Sequence, residues 1–241
     1  MAETPRFAHF GVLLFLGGGF LVLVCLVIAL VAATSRAFRI AKLAASGAAL
    51  VLCSYAALLL VVAVASPNKT LQAGDWKYFC EADCHIAYSI ESVQFASTLG
   101  PEASPVAAHG QFVVVRLKTW FDEHSIAPWR GDSPLTPDPR VVQVVDGAGN
   151  RYQPLPASAV PGLAGMTRKA TTPLDEPLRP GDAYTTTLVF DVPAGIRDAK
   201  LLIADRDPMS RLLVDHENSP LHGKIYLALN SAPPISARTQ P

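Results

Sequence analysis

Two stretches without charge govern what this chain can become. Between Arg6 and Arg36, and again between Lys42 and Lys69, the sequence holds no Asp, Glu, Lys or Arg. A helix needs about 20 apolar residues to cross a hydrocarbon core of about 30 Å. Both runs, roughly Gly11 to Ala33 and Leu43 to Ala65, exceed that length. In lipid the backbone must satisfy its own hydrogen bonds, so even segments rich in Val and Ile become helices there. Residues 1–66 are therefore expected to form two transmembrane helices, since soluble cores seldom hold two adjacent uncharged runs of this length. A cleaved signal peptide is the alternative for the first run, with Ala32, Ala33 and Ser35 imitating a cleavage site. Its apolar core is, however, longer than the roughly 7–15 residues usual in a signal.

Positive residues set the orientation. The connector from Thr34 to Lys42 carries Arg36, Arg39 and Lys42 with no acid, and short loops of that kind stay in the cytoplasm. Everything after about Pro67 is then expected on the extracytoplasmic side of a two-pass plasma or inner membrane protein. Residues 1–66 hold four of the 20 basic and one of the 20 acidic residues, leaving 16 against 19 for the exported part. That mildly acidic balance argues against nucleic acid as a partner.

Residues 67–75 read as a polar stalk, and 76–230 as one domain. Of the 20 prolines, 18 lie after residue 100, which leaves few windows for a long helix. Between them the pattern alternates with period two, the signature of half-buried strands. In Phe112 to Phe121, Val113, Val115, Leu117, Thr119 and Phe121 share one face, with Arg116 and Lys118 on the other. Tyr184 to Val192 repeats this, with Thr186, Leu188, Phe190 and Val192 inward. Further strands are expected over Ile86 to Phe95, Arg140 to Val145, Ala199 to Ala204 and Lys224 to Leu229, with a hairpin turn at Asp146 to Asn150. About seven strands with turn chemistry between them argue for two packed antiparallel sheets, an all-β sandwich. His124 to Pro139 and Gln153 to Pro180 read as long loops, and 231–241 as a flexible tail.

The run Leu178-Arg179-Pro180-Gly181-Asp182, then Thr187-Leu188-Val189-Phe190-Asp191-Val192-Pro193 and Lys200-Leu201-Leu202-Ile203, resembles a telokin-like, immunoglobulin-type sandwich found in bacterial lipoproteins and membrane-anchored proteins. Val113-Val114-Val115-Arg116-Leu117 and the Asp146-Gly147 hairpin look like its earlier half. The resemblance implies a surface-exposed binding or structural role.

Chemistry, if any, centres on two cysteines. Cys25 and Cys53 lie within the apolar runs, where a thiol acts as a small apolar side chain. Cys80 and Cys84 are the exported pair, directly before His85. A disulfide is expected in an oxidising compartment. In an extended strand their Cα atoms would stand about 13 Å apart, beyond the roughly 7 Å a disulfide allows. Glu81-Ala82-Asp83 must then turn, and the strand must start near His85. A second reading is a copper or zinc site of Cys80, Cys84 and His85, joined by His109 or His222. The Cys-x3-Cys spacing is similar to that of subunit II of haem-copper oxidases. There, however, a His stands four residues after the second Cys and a Met lies just beyond, whereas here Tyr88 holds the His position and no Met stands at the motif's place. Haem attachment through Cys80-x3-Cys84-His85 is the third and weakest reading.

Other polar groups support less. Asp205-Arg206-Asp207 and Asp215-His216-Glu217-Asn218 read as solvated turns without calcium-loop spacing. His109 and His124 sit at loop edges, and Ser125, Ser133 and Ser210 lack a nucleophile-elbow context. The Pro-rich stretch from Arg130 to Arg140 reads as a flexible loop, with a polyproline-II partner surface as the alternative. The expectation is a membrane-anchored interaction or accessory module without catalytic activity or cofactor, whose partners are the lipid bilayer and another membrane or envelope protein.

Overall fold

The computed structural model describes residues 2–3, 8–79, 85–127, 129–156 and 172–229. They fall into two compact units, one of which joins the two helices to residues 207–224, the other of which holds the strands.

In the first unit α1 spans Ala8–Thr34 and α2 spans Phe38–Ala65. Both are long and apolar enough to cross a membrane. The connector is shorter than the sequence suggests. Arg39 and Lys42 lie inside α2, and the chain reverses at 35–37 with Arg36 in the left-handed region at φ 58°. Nothing in an aqueous interface prevents Arg and Lys from continuing a helix, since both are good helix formers. The helices meet through small residues, as membrane helices do. A side chain added at Gly18 would meet the Tyr55 ring, and one at Gly47 the Cys25 Sγ, while Ala48 and Ala63 are buried.

The second unit contains β1 (Ala2–Glu3), β2 (Lys69–Leu71), β3 (Trp76–Phe79), β4 (Ile86–Leu99), β5 (Val106–Phe121), β6 (Arg140–Val145), β7 (Arg151–Tyr152), β8 (Ala183–Val192), β9 (Lys200–Asp205) and β10 (Ile225–Ala228). One five-stranded sheet has the order β1-β3-β4-β5-β8, the other β2-β10-β9-β6-β7. Pairing is antiparallel except at two edges. There β1 runs parallel to β3 and β2 parallel to β10, so the expected wholly antiparallel arrangement is corrected. A parallel neighbour needs a long crossover, and the intervening helices and strands supply one in each case. The expected 67–75 stalk is corrected too, because Lys69–Leu71 is a strand and Leu71 is buried.

The period-two reading of β5 and β8 holds. Val113, Val115, Leu117, Thr119 and Phe121 are fully buried, and Phe190 and Val192 lie beside them. From the other sheet Val142, Val144, Leu201 and Ile203 join the same apolar cluster. On the opposite face of β5, Phe112 and Val114 form a second cluster with Val189, against which Leu155 packs. The long connections also contribute. Leu135 and Leu178 exchange backbone hydrogen bonds of 2.9 and 3.0 Å, and Leu178 is buried in the main core with Ile126, Leu135 and Leu174 against it. These stretches are therefore core-bearing straps where loops were expected. Residues 157–171 and the 231–241 tail lie outside the described residues.

The core also holds charge. Lys77, 2% exposed, donates from Nζ to the carbonyls of Ile203 (2.6 Å) and Ile225 (2.9 Å). Arg140 Nη1 stands 3.3 Å from Asp205 Oδ1, with both side chains buried. The Phe79 ring receives both cations, Lys77 Nζ at 4.9 Å and the Arg140 guanidinium at 4.1 Å.

Phe190→Ala tests the core assignment. It removes a fully buried ring and should destabilise the strand unit by about 3–5 kcal/mol. Denaturant unfolding that shows no loss would contradict the placement.

Candidate functional site

β3 and β4 form an antiparallel pair in which Phe79 faces Ile86, so residues 80–85 connect two strands at one end of the sheet. The first strand of the domain was expected near His85; a strand does begin at Ile86, but β2 and β3 precede it. Cys80 and Cys84 themselves, and hence the disulfide and thiolate readings, lie outside the described residues. What surrounds the connection can be built from its flanks.

β5 ends beside it at Phe121, paired with Ile86. The chain then turns through Asp122 into a short 3-10 turn, Glu123–Ser125. Asp-Glu-His-Ser has the composition of a capped turn, and Asp122 caps it, Oδ1 accepting from the His124 N–H at 2.9 Å. The His124 ring Nδ1 lies 3.2 Å from the same oxygen. Asp122 Oδ2 accepts from the Tyr78 hydroxyl at 2.8 Å. The Asp122 N–H donates to the His85 carbonyl at 2.8 Å. Asp122 thus ties β3, the start of β4 and the end of β5 together.

His85 is buried, its ring stacked on Phe121 with centroids 5.6 Å apart. Its Nδ1 lies 2.9 Å from Ser125 Oγ, and that hydroxyl donates to the Asp122 carbonyl at 2.9 Å. One hydroxyl has one proton. With the Ser125 proton directed at the carbonyl, His85 donates from Nδ1, an assignment made from the hydrogen-bond geometry.

Phe121 also carries the Arg130 guanidinium, 4.8 Å from the ring. Arg130 Nη1 donates to the carbonyls of Gly131 (3.1 Å) and Ser133 (2.5 Å). Beside it Trp129 is 87% exposed. Sequence reading passed over Tyr78, Asp122, Trp129 and Arg130. Only the capped-turn composition at Asp122 could have flagged one of them.

The remaining candidates disperse. His109 lies 12 positions before Phe121 on β5, about 40 Å at 3.3 Å per residue, so it cannot join His85. It is bound instead to Asp191, Nδ1 to Oδ2 at 2.7 Å and its N–H to Oδ2 at 2.9 Å. Burial raises the Asp191 carboxyl, but these bonds and the Gly110 N–H outweigh it and hold the group below the usual carboxylate range. His222 belongs to the helical unit, where its Nδ1 is 2.7 Å from the Gly223 carbonyl and its Nε2 3.5 Å from Asp215. Asp205 pairs with Arg140, and Asp207 accepts from the Met209 N–H at 2.9 Å. Among the described residues no group of three or more His, Cys, Asp or Glu is placed to hold a metal.

No protein-family model matches the chain, and no curated protein matches it. Three solved structures are similar in part. A conserved hypothetical protein from Bacillus anthracis is 16% identical with a TM-score of 0.35, covering 50% of this chain and 81% of its own. The yjhA protein from Bacillus subtilis is 10% identical with a TM-score of 0.40, covering 66% and 99%. The secreted protein MPT63 from Mycobacterium tuberculosis is 12% identical with a TM-score of 0.40, covering 67% and 97%.

Burial first, and then the hydrogen bond and charge of Asp122, push the Tyr78 phenol above the ordinary tyrosine range; burial does the same to Tyr184. A pKa raised on folding gives stability that is present below the unfolded value of about 10 and lost as pH rises beyond it. Stability should therefore fall above about pH 10, and Tyr78→Phe should flatten part of that fall. Denaturant midpoints measured across this range check it; parallel slopes for the two proteins would contradict it.

The cysteines give a separate prediction. If Cys80 and Cys84 are joined, the unreduced protein should weigh about 2 Da less than the reduced one, with no metal or haem absorbance. Replacing both with Ser should weaken the strand unit by less than the roughly 3 kcal/mol of a 15-residue loop. Stoichiometric copper, zinc or haem removed by that replacement would instead establish a ligand pair.

Proposed function

We propose that this protein is a non-enzymatic interaction or accessory module, an immunoglobulin-like sandwich held outside the cytoplasm by the two apolar helices. The observation that carries the interaction role is Trp129. It stands almost fully exposed on a strap fixed by Arg130, whose guanidinium lies on Phe121. An ordered, exposed indole beside an anchored arginine is the composition of a protein-binding hot spot. The neighbouring polar groups support the same reading. Asp122, Tyr78, Ser125 and Arg130 spend their hydrogen bonds on one another and on backbone, which positions the surface. The anchor rests on the length and charge pattern of α1 and α2, with Arg36, Arg39 and Lys42 marking the cytoplasmic end. The partner is another membrane or envelope protein.

A second reading makes Cys80, Cys84 and His85 a copper or zinc site, supported by their adjacency in sequence and by the affinity of thiolate and imidazole for those metals.

The leading reading has a two-part test in intact cells. A single cysteine at Ser35 should resist an impermeant thiol reagent while one at Ser231 reacts, and the reverse would overturn the orientation. A photo-reactive residue at Trp129 should give discrete protein adducts that the same residue at Glu102 does not. Identical, diffuse adducts from both positions would remove the interaction surface.

A further inference from the structure

Residues 207–224 connect β9 to β10 yet form one compact unit with the helices. They dock on both. The Tyr55 hydroxyl donates to the Leu212 carbonyl at 2.5 Å. The Val214 backbone passes so close to Gly11 that any side chain there would strike the Val214 carbonyl, and Gly223 lies equally close to the carbonyls of Ser66 and Pro67. The depth of this docking can be estimated. Tyr55 follows Phe38, the first residue of α2, by 17 positions, or about 26 Å along the helix axis. Measured from the basic connector, that is short of the roughly 30 Å of hydrocarbon a membrane presents.

A segment at that depth must hide its polar backbone, and this one does. The Asp207 side chain caps Met209, and Pro208 begins the turn where an N–H would lack a partner. Ser210 Oγ donates to the Asp207 carbonyl at 2.5 Å and Ser219 Oγ to the Leu213 carbonyl, also at 2.5 Å. Asn218 Nδ2 donates to Ser210 Oγ at 2.9 Å. Both serines are buried. Ser210 and Ser219 turn inward, Asp215, His216, Glu217 and Asn218 are half-buried, and Met209, Leu212 and Leu221 turn outward, Leu221 being 73% exposed. Leu221 does so from a left-handed backbone at φ 65°, a conformation bulky residues rarely adopt. An Asn or Gly would sit there with less strain. Arg211, also exposed, is long enough to reach headgroup phosphates from such a site.

We infer that Pro208–Leu221 is a lipid-seated segment. It enters the outer leaflet beside α1 and α2, with Met209, Leu212 and Leu221 among acyl chains, so that the apolar belt of the helices continues onto the C-terminal half of the chain. This rests on the reading that α1 and α2 span the membrane.

The full chain should be reconstituted in nanodiscs of phosphatidylcholine, with and without bromine on mid-chain acyl carbons. Tryptophan is placed singly at Leu212, at Leu50 as a spanning control and at Glu102 as an aqueous control, and the added emission is read against the parent protein. Leu212→Trp should lose about half of its added emission to brominated lipid, as burial 5–10 Å into the acyl boundary requires. Leu50→Trp should be quenched as well, and Glu102→Trp should be unchanged. If Leu50→Trp is quenched while Leu212→Trp responds only to aqueous acrylamide, the lipid-seated segment is wrong and the anchor stands. If neither is quenched, the spanning reading fails and takes this inference with it. Should Leu212→Trp not fold, Met209→Trp reads the same surface with the same outcomes.

Discussion

The strand unit depends on a cation placed where water does not reach. Lys77 extends from β3 into the core and donates to the carbonyls of Ile203 in β9 and Ile225 in β10. The register of the β9–β10 ladder, Tyr226 opposite Leu202, would set Ile225 opposite Ile203 next. At that position both carbonyls turn to the ammonium, so Lys77 from one sheet takes over where the ladder of the other ends. Arg140 and Asp205, the first cross-strand pair of β6 and β9, bury their own charges alongside. Phe79 lies under both cations. A buried ammonium is tolerated only with such partners, and removing one member of such an arrangement commonly costs about 3–5 kcal/mol. The gain over an apolar core is geometric, because directional bonds fix the register between the sheets where leucines would allow sliding.

That clamp positions the site. With Lys77 and Phe79 held inward, the pleat turns Tyr78 the opposite way, and it is Tyr78 that meets Asp122. Asp122 then gathers the His124 turn, while its backbone binds His85. The Ser125 hydroxyl donates to the Asp122 carbonyl, and Trp129 is exposed next to Arg130, whose guanidinium lies on Phe121.

How much of this could be read from the sequence varied with the range of the forces involved. The helices, β5, β6 and β8 were legible because lipid-length apolar runs and period-two alternation are local signals. The β3 strand was not, since Trp76-Lys77-Tyr78-Phe79 places its charge on the buried face, and the carbonyls that justify this lie 126 and 148 positions away. Lys69–Leu71 reads as polar stalk for the same reason, its partner being β10 at the far end of the chain. Prolines around Leu135 and Leu178 announced loops and concealed a bridge that lays two leucines on the core. At the site, adjacency in sequence suggested that Cys80, Cys84 and His85 belong together. It could not suggest Tyr78 and Asp122, which meet across 44 positions.

Separation along the chain also orders assembly. The β4–β5 and β6–β7 hairpins close early, because loop closure grows costlier with length. β2 must await β10, since Lys69 pairs opposite Ile225. The helical unit waits as long, for Tyr55 and Leu212 are 157 positions apart. Until residues 207–224 have been made, α1 and α2 lack part of their own compact unit, and the Tyr55 hydroxyl lacks its native acceptor. Both units are therefore completed by the same C-terminal stretch, β10 closing one sheet just after Gly223 has settled against Ser66 and Pro67. A lesion between Asp207 and Ile225 should reach both units, although no residue there belongs to α1, α2 or the central strands.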